Sequence, residues 1–261
     1  MFAIRLWFTP NTHLFSMHAR MMVLVQLGLL ALIWMFAGIP FLPQPAGIWN
    51  AFVKLSGEGL PADLATSILT NLEAVGYSIV ISLVLVYLGV MPFFRKIASL
   101  VSMLRFNGLV GVTLFFTILT SSSHALKLSL LIFTLTTWFV TSLLAVLDDI
   151  PEEEYEHART LGMSRWRVVL EVVILGRLDK VLEVLRQNTA IAWVMLTTVE
   201  GIVRTEGGIG AMLLTQSKYL KLDEVFAIQI MILLLGLFQD WMWGALRKLI
   251  FPYSTLATER K

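Results

Sequence analysis

The chain has no cysteine in its 261 residues, which excludes disulfides, CxxCH haem attachment and thiolate zinc sites. It has no GxxxxGK[ST] run, so it cannot bind ATP through a P-loop of its own. Its four histidines, His13, His18, His124 and His157, do not fall at metal-ligand spacing on one helix face, and no metal is expected. No cluster of nucleophile, base and ligand stands at one depth of the chain, so it is not expected to be an enzyme. Charge is scarce as well. Only 15% of residues are charged, against about 25% in an average soluble domain, and a net charge of +2 gives no reason to expect a nucleic-acid partner.

What remains is apolar: 57% of residues are hydrophobic and the mean hydropathy is +0.78. Such a chain has too little polar surface for water, and its solvent is a bilayer. A spanning helix needs about 20 mostly apolar residues because lipid satisfies no backbone group. Six segments qualify as spans, 21–39, 67–94, 106–120, 125–147, 187–203 and 225–246, in one all-α transmembrane domain covering residues 1–261. The third is short and rich in glycine. With the N-terminus inside, inner segments carry fifteen of the twenty Lys and Arg residues and outer segments five. That bias puts both termini in the cytoplasm. Lys127 lies near the end of the fourth span, where it can snorkel to the interface. The outer loop after the first span holds a helical stretch, 47–55, that Trp49 and Phe52 would anchor at the interface. The outer run Gly207-Gly208-Ile209-Gly210 lacks the strand and helix spacing of a dinucleotide fingerprint, and reads as a flexible loop.

Residues 148–186 differ from the rest, with nine acids and six bases in 39 residues. Pro151 suits a first helical position, and Glu152, Glu153 and Glu154 suit the positive end of a helix dipole. Tyr155, Ala158, Gly162, Trp166, Val169 and Val173 recur at spacings of three and four and would share a face. Gly162 would cost a continuous helix roughly 1 kcal/mol relative to Ala, which points to a turn at Gly162-Met163-Ser164 between two short helices. Two readings follow: an amphipathic helix on the inner leaflet, or a folded docking site for a soluble partner. The acid-rich start argues for the second, because anionic lipid would repel it.

The run from Glu156 to Arg167, EHARTLGMSRWR, resembles the EAA signature of permease subunits of binding-protein-dependent ABC importers. It is most similar to the nitrate/sulfonate/taurine/bicarbonate branch. Further similarities follow in family order: Leu42-Pro43-Gln44-Pro45, Leu185-Arg186, Ala192-Trp193, Glu200, Gly207 to Gly210 and Val225-Phe226-Ala227. Departures are His157 in place of Ala, and Leu175 and Asp179 where prolines normally follow. Arg105-Phe106-Asn107-Gly108 also stands where relatives are rich in proline. Losing the prolines should straighten or lengthen the helix entering the fifth span.

The resemblance implies an importer of the prokaryotic cytoplasmic (inner) membrane, in which this chain forms the path for a small solute, an anion such as sulfonate, nitrate or bicarbonate. Separate ATPase subunits would bind inside and hold ATP and Mg, so the chain itself carries no cofactor. A substrate-binding protein would dock outside, and a second permease copy or a homologue would complete a dimer. Glu156, Ala158 and Gly162, with Arg159, Ser164 and Arg165, would form the coupling helix that fits a cleft of the ATPase. Asn107, Thr113, Thr197 and Glu200 are candidates for the solute pathway, Glu200 equally for bracing a neighbouring span. Acids in or near spans tend to be functional. Glu73, Glu200 and Asp240 would therefore support a rival reading, an ion-coupled secondary transporter, although Asp240 could simply pair with Arg247.

Overall fold

The computed structural model describes residues 16–36 and 41–251, which form helices and short turns with no strand among them. Helix α1 is Ser16–Phe36. Pro45 opens α2 (Pro45–Gly57), where a missing N–H costs nothing. Gly59 then reverses the chain at φ 104° into α3 (Leu60–Leu88). Pro92 opens α4 (Pro92–Met103) in the same way. Helix α5 (Leu109–Leu119) leads through a tight turn to α6 (Ser123–Asp148), whose N-cap Ser122 accepts the Ala125 N–H at 3.2 Å. The charged segment holds α7 (Glu152–Thr160), α8 (Arg165–Val168) and a π-helical stretch, Val169–Leu175. Helices α9 (Leu178–Ile202), α10 (Ile209–Lys218) and α11 (Leu222–Ile250) complete the described chain.

Three helices are long and apolar enough to cross a membrane: α3, α6 and α11, with 29, 26 and 29 residues. The pair Pro92–Phe106 and Leu109–Leu119 makes a fourth candidate, but it is bent by 114°. The expected third span is thus an 11-residue helix, only about 17 Å long at 1.5 Å per residue. Asn107 and Gly108 take extended backbone at the bend and end the preceding turn. In α1 the apolar stretch runs from Arg20 to Phe36, while residues 37–39 of the expected first span lie outside the described residues. So do Arg5, Arg260 and Lys261, on which the placement of the termini partly rests.

Helix α9 starts at Leu178 rather than at the expected 187, and its first turns hold Asp179, Lys180, Glu183 and Arg186. The helix is thus longer than the expected span, but it is not continuous with the charged segment before it. The π stretch and the turn at Gly176 and Arg177 interrupt it. A side chain at Gly176 would fall 2.8 Å from the Val172 carbonyl oxygen.

Helix α6 is apolar all round and takes the centre, packed against α3, α4, α5 and α9. Leu130, Leu131, Leu135, Phe139, Val140 and Leu143 are buried in it. A second core of Ile48, Leu55, Leu60, Ile209 and Ile228 seats α2 and α10 against α11. Helix α2 is longer than the expected stretch, and its Trp49 stays exposed with the Phe52 ring 6.0 Å away.

Polar contacts between helices occur in layers. Buried Gln239 on α11 accepts from Asn71 on α3 at 3.3 Å and from the Trp193 indole on α9. Two turns nearer the start of α9, Arg186 donates to both oxygens of Asp240, at 2.8 and 2.9 Å, while Arg247 donates to Glu183 at 2.6 Å. The partner of Asp240 is therefore Arg186 and not Arg247. The reach is set by α9 starting nine residues, about two and a half turns, earlier than the sequence suggested.

Candidate functional site

The segment between α6 and α9 is a helix–turn–helix. Glu152, Glu153 and Glu154 occupy the first turn of α7, and Pro151 is its N-cap rather than its first residue. Helix α7 ends in a Schellman motif: Met163 N–H donates to Ala158 O at 3.3 Å, and Gly162 N–H to Arg159 O at 2.9 Å. The motif needs a left-handed residue between them, and Gly162 supplies it at φ 75°. Ser164 then caps α8 by accepting the Arg167 N–H at 3.4 Å. The turn at Gly162-Met163-Ser164 is where the glycine placed it. The shared face is not: Ala158 and Val173 are buried, whereas Trp166 is 70% exposed. The left-handed turn resets the helical phase, so spacing counted across Gly162 loses its meaning.

Three ion pairs stand at the base of this segment: one joins α4 to the end of α6, one joins the segment to α9, and one lies within it. Arg95 of α4 pairs with Asp148 at the end of α6, Lys180 with Asp149 at 2.7 Å, and Arg177 with Glu154 at 2.6 Å. The hydrogen bond from Lys180 and its charge hold the Asp149 carboxyl below the usual carboxylate range. What remains outward is also specific. Glu156, Arg159 and Arg165 are exposed, and no described residue pairs with them. Beside α7 lies a groove of about 560 Å³ lined by Glu153, Glu154, His157, Ala158 and Glu171. Ala158 forms its floor, so its small side chain lets α7 sit close over Met163.

At the opposite end of α6 and α9 the glycine run is fixed in place. Gly207 and Gly208 have φ 69° and 108°, and the amides that follow donate to side chains of other helices. Gly208 N–H reaches Asp63 at 2.9 Å, Ile209 N–H reaches Ser67 at 2.8 Å, and Gly210 N–H reaches Glu200 at 2.8 Å. These are orphan donors at the N-terminus of α10, where carboxylates also meet the positive end of the dipole. Ser67 donates to Glu200 at 2.7 Å. Lys127 is wholly buried, not snorkelling: it donates to Gly207 O at 3.2 Å and lies 3.9 Å from both Glu200 and Glu206. His124 stands between Glu206 and Glu73, at 3.4 and 3.5 Å. Local sequence gave no reason to single out Asp63 or Ser67. The available signal was their spacing of four with Asn71 on one face of α3.

The pathway candidates do not converge. Asn107 is exposed at the bend before α5, beside a hollow lined by Gly111, Phe115 and Phe133. Thr113, half-buried on α5, donates to the Leu109 carbonyl at 2.7 Å. Thr197 lines a separate pocket between α9, α10 and α11. Glu200 is completely enclosed, with Ser67, Gly210 and Lys127 around its carboxylate. The three acids of the rival reading are divided too. Glu73 and Glu200 belong to the outer network, and Asp240 lies apart on Arg186. Among the described residues no group of His, Asp and Glu could hold a metal.

No protein-family model matches the chain, and no curated protein matches it. Solved structures do match. One is the crystal structure of an amino acid ABC transporter with histidines, at a TM-score of 0.58 and 16% identity. The alignment covers 76% of this chain and 96% of that one. At that identity the likeness is one of fold: the chain shares the fold of the matched chain of that transporter, with three helices long and apolar enough to cross a membrane.

Proposed function

We propose that the chain is the permease subunit of an ATP-driven importer in the cytoplasmic membrane of a prokaryote. The carrying observation is the helix–turn–helix of residues 148–186. One ion pair ties it to α4 (Arg95–Asp148) and two brace it internally (Lys180–Asp149 and Arg177–Glu154), yet it leaves Glu156, Arg159 and Arg165 unpaired and facing out. A membrane chain with so few charges gains nothing from such a surface unless a soluble partner covers it. The partner is the ATPase subunit, which holds ATP and Mg. Glu156 pairs with a basic group of that subunit, and the acidic groove beside α7 receives another. Closure of two ATPases moves the segment as a rigid body, and its chain connections to α6 and α9, with the Arg95–Asp148 pair to α4, carry the movement into the spans.

Six spans follow in this reading, α1, α3, the α4–α5 pair, α6, α9 and α11, with both termini inside. Six helices enclose little space, so a second copy or a homologue faces this one, and a substrate-binding protein docks outside. The cargo is a small solute, by sequence resemblance an anion of the sulfonate, nitrate or bicarbonate kind.

Because the chain is free of cysteine, Glu156→Cys gives a single reactive site. In native membranes, a short thiol-to-amine crosslinker at this position is expected to capture a protein that photoaffinity ATP analogues label. The same substitution at Trp49 should not. Equal capture from both positions, or from neither, would remove the basis for the coupling role.

A further inference from the structure

A pocket of about 450 Å³ opens between the outer ends of α9, α10 and α11, lined in part by Thr197, Thr198, Gly201, Ser217 and Gln229. Two of its polar side chains have no partner among the described residues. Gln229 is exposed on an otherwise apolar stretch of α11 and makes no hydrogen bond with any described residue, and neither does the Ser217 hydroxyl. The threonine hydroxyls both donate to one acceptor, the Val194 carbonyl, at 3.0 and 2.9 Å. An amide facing lipid at this position would be unfavourable, so Gln229 faces water, a solute or protein.

Two bases without a carboxylate partner stand beside lining residues. Arg204 donates from Nε to the carbonyl of Gly201, a lining residue, at 3.1 Å. Its remaining guanidinium donors pair with no carboxylate of the described residues, and Lys218, next to Ser217, is unpaired as well. The acids of this end are turned elsewhere: Asp63 to the Gly208 amide, Glu200 to Ser67 and Gly210, Glu206 to Lys127 and His124, Glu224 to Lys54, and Asp223 to the backbone of Gly47 on α2. No acid or base lines the pocket itself. The Gln229 and Ser217 donors without acceptors, near a guanidinium without a carboxylate partner, suit an anion.

We infer that this pocket is an outer solute station of the permease, in which a small anion is held by Arg204, the Gln229 amide and the Ser217 hydroxyl. The inference rests on the permease reading and gives it a place on the chain where the cargo is touched. It also explains the fixed glycine run. Gly210 lies so close to Thr197 that a methyl there would fall 2.7 Å from the Thr197 Cα, and this contact sets α10 against α9 and shapes the pocket wall.

The chain in native membranes serves for the test, with Gln229→Cys, Ser217→Cys and Thr198→Cys as single-thiol variants and Leu233→Cys, exposed on the apolar side of α11, as the comparison. Two membrane-impermeant methanethiosulfonates are applied from outside, one bearing a sulfonate and one a trimethylammonium group. Each rate is referred to that reagent's rate with a free thiol. All three pocket variants are expected to react at least about tenfold faster than Leu233→Cys, and to favour the sulfonate reagent. Adding Arg204→Gln should shift that preference by about fivefold or more, as loss of one nearby unit charge requires. Rates no faster than Leu233→Cys would mean that the pocket is closed by lipid or by a second subunit, and would overturn the proposal. A preference for the cationic reagent, or none that depends on Arg204, would overturn it equally. Labelling needs no ATPase, so its failure leaves the permease reading intact. Rapid anion-selective labelling of a chain with no ATP-binding partner would remove the permease reading alone.

Discussion

Glu200→Ala is expected to be among the most destabilising single substitutions in the chain. The carboxylate accepts from Ser67 and from the Gly210 amide and lies 3.9 Å from Lys127, and both Glu200 and Lys127 are completely buried. Truncation leaves the buried ammonium with the Gly207 carbonyl and one carboxylate, the partly exposed Glu206 at 3.9 Å, where it had two. Removing one member of a buried pair typically costs about 3–5 kcal/mol, more than the pair itself contributes, because the remaining charge is uncompensated. Thermal unfolding of the detergent-solubilised protein measures this. Lys127→Met combined with Glu200→Met should be less destabilised than Glu200→Ala alone, since no charge is then stranded. It should not match the parent, because the Gly210 amide and Ser67 hydroxyl still lose their acceptor, at about 1–3 kcal/mol for a buried polar group. A Glu200→Ala protein within about 1 kcal/mol of the parent would show that the network is not what holds α10 in place.

Gly162→Val is expected to abolish ATP-driven uptake without removing the protein from the membrane. The residue has φ 75°, and a side chain there would meet nothing within 4 Å. The difficulty is conformational. A β-branched residue in the left-handed region loses about 1–2 kcal/mol or more, enough to displace the Schellman turn and with it the orientation of Glu156 relative to Arg165. Uptake should fall about tenfold or more, as a strain of that size at a coupling joint implies. Asparagine tolerates the same backbone, so Gly162→Asn should retain uptake within about twofold. Equal loss in both variants would locate the effect in a partner contact that any side chain obstructs. Full activity in both would mean that the turn does not matter.

These two sites differ in how far the sequence announced them. The charged segment was legible because its signals are local. An acid-rich first turn, a mid-segment glycine and a serine cap each act within four residues, and each found its place. Where the reading failed there, it carried one helical period across Gly162, and the left-handed turn breaks that period, leaving Trp166 exposed instead of packed beside Val173. The outer network was illegible for the opposite reason. Asp63, Lys127, Glu200 and the glycine run are separated by up to 145 residues, and each has an innocent local explanation. A lysine near the end of a span can snorkel, and a Gly-Gly run can be a loose loop. Only the packing of α3, α6 and α9 brings one lysine, two acids and three free amides together. The third span was misjudged because apolar content does not reveal a 114° bend. Asn107 and Gly108 make it by taking extended backbone.

The central claim is that this chain carries the path while another polypeptide supplies the ATP. Purification of the full chain from its native membrane under mild detergent, with mass determination of the intact assembly and assay of ATP hydrolysis, tests it most directly. The account predicts an assembly in which each permease chain brings one ATP-binding chain, and ATP hydrolysis that is lost when the coupling segment is disabled by Gly162→Val. A chain that purifies without any nucleotide-binding partner, and still moves solute down an ion gradient when reconstituted alone, would contradict it.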